Sequence, residues 1–295
     1  MHSLWMVLAS FMFALMGAGV KFAGELNVPL AMTIIARGLP SVLLILVWAV
    51  VTKHSLRPKS LKIHFLRNLF GATALILVFY CYSVLPLGTA ATLNYTSSIF
   101  IGLWVFIKGV EGKRDWFRLF TCLLGFVSVL MVLRPSLSED QFFAVFLGLC
   151  SGVCAAVAMM QLRSLGKLGE SAWLTVFYFS VVVTIIGFIG LDRSAVPNVS
   201  AQAWVALLAV GLCGLVGQLC ITKAYGSGSP ILSAVLQYLT IVFAVLMGVL
   251  FWDDVPDLFV WLGIAGVVAA GGLSAWATVR QAHKVAELQR VSNNN

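Results

Sequence analysis

Apolar residues in this chain come in long unbroken blocks, and short polar stretches separate them. The blocks fall at roughly 4–22, 30–51, 67–86, 88–107, 117–134, 142–162, 172–191, 201–222, 230–251 and 258–279. Each is about 18–22 residues, the length a helix needs to cross a hydrocarbon core about 30 Å thick. None alternates with the two-residue period of a barrel strand. The pattern predicts an all-α integral membrane protein with ten transmembrane helices and loops too short for a soluble domain. Only His2 precedes the first block, so the basic segment of a signal peptide is missing, and the block reads as span one.

Composition agrees. The 295 residues are 61% hydrophobic and 10% charged, against about 25% charged in soluble domains. Mean hydropathy is +1.00. The net charge of +8 is distributed as a topology signal, not as a nucleic-acid patch. Lys53, Arg57, Lys59, Lys62 and Arg67 follow span two; Lys108, Lys113, Arg114 and Arg118 follow span four. Arg163, Lys167, Lys223, Arg280, Lys284 and Arg290 fall on the same side, leaving Lys21, Arg134 and Arg193 opposite and Arg37 inside a span. Basic loops face the cytoplasm, which puts both termini there, next to anionic lipid headgroups. Most tryptophans, Trp48, Trp116, Trp204 and Trp276 among them, lie near span ends as an interfacial belt.

The chain also resembles itself. Shifted by 143 residues, "TLNYTSSIF" (92–100) meets "VLQYLTIVF" (235–243), so Asn94-Tyr95 falls on Gln237-Tyr238. The same shift pairs Gly71 with Gly214, Tyr82 with Tyr225, and Glu111 with Asp254. Spans one to five are therefore repeated as six to ten. Five is odd, so the second copy enters the membrane from the opposite face. Inverted repeats of this kind build transporters whose cargo binds near the midplane, where the halves meet. The organisation expected is a first five-helix repeat (1–137), a second, inverted one (138–280) and a polar cytoplasmic tail (281–295).

"YSVLPLGTAATLNYTSSIF" with Glu111, its echo "YGSGSPILSAVLQYLTIVF" with Asp254, and Arg37 early in span two together carry a wider likeness. With the two-fold five-helix plan, the chain resembles the EamA branch of the drug/metabolite transporter superfamily over roughly residues 4–280. The resemblance implies that spans three, four, eight and nine wall a central cavity, while one, two, six and seven open and close around it. By position it implicates Tyr82, Asn94, Tyr95, Tyr225, Gln237 and Tyr238 in substrate binding. The second copy departs by having Asp254 for the usual glutamate and no arginine near Tyr178 in span seven.

Candidate chemistry narrows the function further. Arg37 lies within a span, where a central arginine costs about 2.5–3.5 kcal/mol, and intramembrane charges mark function by default; its alternative is a bond to backbone carbonyls. Pro40, about one turn on, is a potential hinge. The amides and tyrosines can bond hydroxyls and carboxylates and stack on planar groups, or simply bond helix to helix. Gly148, Gly152, Gly211, Gly214 and Gly217 read as close-packing positions. All eleven acids and four histidines fall in loops or at span ends, which disfavours a carboxylate relay for protons. The six cysteines lie inside spans as small hydrophobes, without a disulfide framework.

These features point to a secondary transporter, not an enzyme, with no cofactor or metal. Its solute is a small amino acid or related polar, carboxylate-bearing metabolite, exported or exchanged by alternating access across a bacterial inner membrane. The alternative reading is a polytopic prenyl-transfer enzyme, because "DDVPD" (Asp253–Asp257) has the spacing of a magnesium–diphosphate motif.

Overall fold

The computed structural model describes residues 2–85, 87–108, 115–133, 141–192, 199–253 and 255–293, without the side chains of 2, 79, 82–84, 87–90 and 281–293. The elements are all helices: α1 (His2–Glu25), α2 (Leu30–Val51), α3 (Leu61–Val84), α4 (Leu87–Lys108), α5 (Trp116–Leu133), α6 (Phe142–Lys167), α7 (Ala172–Ile189), α8 (Ala201–Ser227), α9 (Pro230–Gln237), α10 (Leu239–Trp252) and α11 (Leu258–Asn293). Counting α9 and α10 as one span, nine are long and apolar enough to cross a membrane among the described residues. Helix α4, with 22 residues, is the tenth of the series. In hydrocarbon only a helix or a closed barrel satisfies every backbone group, so apolar blocks of this length fold as observed.

The outer face is apolar. Val47, Val51, Phe120, Ile189 and Leu250 are all more than half exposed, an arrangement suited to lipid and costly in water. Inside, helices cross through small residues, as the glycine pattern predicted. A side chain at Gly148 would strike Leu93, and one at Gly152 would strike Thr96, both on α4. Helix α1 packs on α8 as α3 packs on α6; α2 packs on α7, and α5 on α11. Helix α4 contacts α6 and α9, while α9 and α10 contact α1.

Several helix ends run a few residues past the hydropathy pattern, α6 to Lys167 and α8 to Ser227 among them, and three departures go further. Helix α3 begins at Leu61 instead of 67, because the Ser60 hydroxyl accepts from the Ile63 N–H at 3.4 Å and caps it. Residues 62–67, read from sequence as loop, are therefore helical. Span nine breaks at Tyr238. Helix α11 continues to Asn293, so the backbone of the tail is helical through most of its length.

Candidate functional site

Helices α2, α7 and α8 enclose a cleft lined by Arg37, Gly38, Ser41, Phe179, Ser180, Val183, Gly214 and Gln218. Its free volume is about 10 Å³, roughly what a single water needs and far below the roughly 300 Å³ at which ligand pockets usually begin, so the described conformation is a closed one. Arg37 enters from α2, about seven residues or ~10 Å along the helix from Leu30. Pro40 stays within α2 but has no N–H for the Ala36 carbonyl. That carbonyl points at Gly211 on α8, where any Cβ would stand 2.6 Å from it and 2.6 Å from the Pro40 ring. Gly211 thus lets α8 approach the weakened turn beside Arg37. Gly214, one turn on, packs 3.4 Å from the Arg37 Cγ by the same measure.

The sequence pattern places Arg67 in a cytoplasmic loop. It is instead buried on α3, with its guanidinium 4.2 Å from the centre of the Phe179 ring that lines the cleft. The signal that would have found it is the Ser60 cap: starting the helix there puts position 67 nearly two turns inside.

The repeated amide–tyrosine residues gather elsewhere. Tyr95 on α4 and Tyr238 meet with ring centres 6.2 Å apart and planes tilted by 57°. Tyr238 is fully buried against α5 and α11, where Gly125 makes room for its ring. The Tyr225 hydroxyl donates to Gln237 Oε1 at 3.1 Å, so two implicated residues bond each other. Asn94 is half-buried on the unbroken α4. The side chain of Tyr82, and Glu111 and Asp254, lie outside the described residues. Of the implicated set, Arg37 lines the cleft. Gln218 also lines it, two turns before Tyr225 on α8, so one helix carries both groups of polar residues.

The helix break follows from local bonding. The Tyr238 N–H turns to the Val235 carbonyl at 3.2 Å, a three-residue spacing that bypasses Ala234. The Ser98 hydroxyl of α4 takes the Ala234 carbonyl at 3.0 Å, and Ser10 of α1 donates to Leu236 at 3.1 Å. Serines from both neighbouring helices thus satisfy backbone at the interruption, as irregular backbone at membrane depth requires. The Tyr225–Gln237 bond pins the end of α9 to α8. Tyr225→Phe and Gln237→Ala should each cost about 0.5–1.5 kcal/mol of stability, with the double variant losing less than the sum. Additive losses in melting measurements would show the bond contributes nothing.

A third polar group ties the α2–α3 loop to the α6–α7 turn. Glu170 Oε2 accepts from the Lys59 N–H at 2.7 Å and lies 3.2 Å from His64 Nε2, with both side chains 3% exposed. Lys59 Nζ donates to the carbonyls of Leu168 (3.1 Å) and Gly169 (2.7 Å), where Gly169 at φ +67° ends α6. The Tyr178 hydroxyl donates to the Leu56 carbonyl at 2.9 Å. His64, placed in a loop from sequence, is buried in the first turn of α3.

The acidic string does other work. Asp257 Oδ1 accepts from the Val260 N–H at 3.1 Å and caps α11, while Asp253 takes the left-handed conformation that ends α10. No group of three or more metal-ligating side chains occurs among the described residues.

Four known proteins or families resemble the chain. The EamA-like transporter family model matches residues 142–275. The pseudopaline exporter CntI of Pseudomonas aeruginosa is 33% identical over 91% of this chain and 94% of its own length. Solute carrier family 35 member G1 of Mus musculus is 27% identical over 74% of this chain and 61% of its own. A solved crystal structure matches in fold with a TM-score of 0.76 and 16% identity, over 94% of this chain and 98% of the other.

Proposed function

Because the chain belongs to the EamA-like transporters of the drug/metabolite transporter superfamily, we propose that it exports or exchanges a small carboxylate-bearing metabolite, an amino acid or a close relative. Membership makes it an integral membrane transporter and not an enzyme, which removes the prenyl-transfer alternative. The observation that carries the substrate class is Arg37 in a cleft between three helices: a guanidinium there offers a carboxylate two parallel donors. The Pseudomonas relative is named as an exporter, which supports the outward direction and a bacterial inner membrane.

Alternating access rests on an inverted repeat of residues 1–137 and 138–280. The helix pairing supports it: exchanging each helix for its counterpart turns the α1–α8 contact into α6–α3, and leaves α2–α7 and α5–α11 unchanged. The family match to 142–275 covers nearly all of the second unit. Both termini then face the cytoplasm with the 53–60 loop. A cysteine at Lys53 that reacts only with reagent added outside intact cells would reverse this orientation.

The substrate reading is tested with purified protein. Amino acids with free carboxylates should raise the melting temperature, because a ligand stabilises the state it binds, and should drive counterflow in proteoliposomes. Decarboxylated amines with equal effect would end the carboxylate reading.

A further inference from the structure

A second guanidinium stands behind the Phe179 wall of the same cleft, and no acid among the described residues pairs with it. Arg67 is 2% exposed, and its Nε and Nη1 have no hydrogen-bond partner among the described residues. Its contact with the Phe179 ring offsets only part of the desolvation of a buried ion. Arg37 makes matters worse, because it lies within electrostatic reach and carries like charge. The ion pairs among the described residues, His64–Glu170 and Arg118–Asp115, leave both arginines out.

The surroundings hold Arg67 in place. Any side chain at Gly71 would collide with Nη1 of Arg67 and come within 3.1 Å of the Phe179 ring. Gly214, the counterpart of Gly71 across the 143-residue shift, lies against the Arg37 stem. Each of these glycines flanks one arginine, and Phe179 is the partition touching both the Arg67 guanidinium and the Arg37 cleft.

Two cations beside one cleft, without a counter-charge among the described residues, match a doubly anionic cargo. We propose that Arg67 is a second anion-binding residue of the transport site, and that the cargo carries two carboxylates, one facing each guanidinium. The proposal rests on the carboxylate reading of the Arg37 cleft. It differs from that reading in requiring the second acid group, and in requiring Arg67.

The experiment compares acids with their half-amides at matched size. Glutarate and glutamate are set against glutaramate and glutamine in melting and counterflow measurements on the full-length protein. The diacids should act at concentrations at least about tenfold lower than the amides, the scale of one charge-assisted bond. Arg67→Gln should abolish that preference, and Arg67→Lys should restore part of it. Arg67→Met, which keeps an apolar stem on Phe179, separates packing from charge: it should fold and lose the preference. Equal action of diacids and half-amides on the unmodified protein overturns this proposal and leaves the carboxylate site standing. A preference that survives Arg67→Met or Arg67→Gln removes Arg67 from the site. No response to any of the four compounds overturns both readings together. Should Arg67→Gln fail to fold, the comparison on unmodified protein and on Arg67→Lys still decides.

Discussion

Arg37→Gln should lower cargo affinity by about ten- to hundredfold, the cost of losing a charge-assisted bond inside the membrane, while the protein folds at least as well as before. The two effects have opposite signs for one reason. An arginine held within a span carries an insertion cost of about 2.5–3.5 kcal/mol, and glutamine sheds much of it. A residue that spends stability on function shows this pattern. A structural arginine shows the reverse: its removal lowers the melting temperature and leaves affinity per folded molecule intact. Arg37→Lys refines the test, because lysine keeps the charge but not the planar fork. Partial retention of binding by lysine and none by glutamine would identify charge as the main contribution. Full activity of Arg37→Gln in counterflow would remove the cleft from the transport path.

Much of this fold is legible in hydropathy alone, since hydrocarbon admits few alternatives to the helix. Hydropathy predicts the second span at 30–51, which is the observed extent of α2. Hydropathy failed where the decisive bonds are polar and local. It began α3 after the basic residues, whereas the Ser60 hydroxyl starts it six residues earlier and carries His64 and Arg67 into the bundle. It ran span nine straight through Tyr238, whereas a three-residue backbone bond and two serines from other helices interrupt it. Self-similarity found Tyr95 and Tyr238, which do meet. It could not tell that Tyr225 and Gln237 would bond each other, because pairing depends on how far α8 and α9 rotate in the packed bundle. Nor could it find Phe179, one of many phenylalanines in the chain, whose place beside two arginines exists only after α3 and α7 come together.

The interlock on the opposite side of Arg67 sets the last expectation. Helix α3 carries His64 one turn before Arg67 on the same face, so the Glu170 contacts close the bundle between the cleft and the end bearing the 53–60 loop. That end is cytoplasmic in the orientation proposed, so the interlock is expected to act as an inner gate. Glu170 receives both the Lys59 N–H and His64 Nε2, and losing hydrogen bonds to a charged group costs about 1.5–3 kcal/mol. If only the closed state contains the pair, Glu170→Ala shifts the population towards the inward-open state by about ten- to hundredfold, since about 1.4 kcal/mol is a factor of ten. A cysteine replacing Ser180, which lines the cleft, reports the shift in a background without the six native cysteines. Glu170→Ala should speed its modification from the cytoplasmic side by at least about tenfold and slow it from outside, while net flux falls. Glu170→Gln keeps an acceptor oxygen for the Lys59 N–H and should give a smaller change in the same direction. Purely structural contacts would leave both modification rates unaltered and lower only the melting temperature, and that outcome would remove the gate.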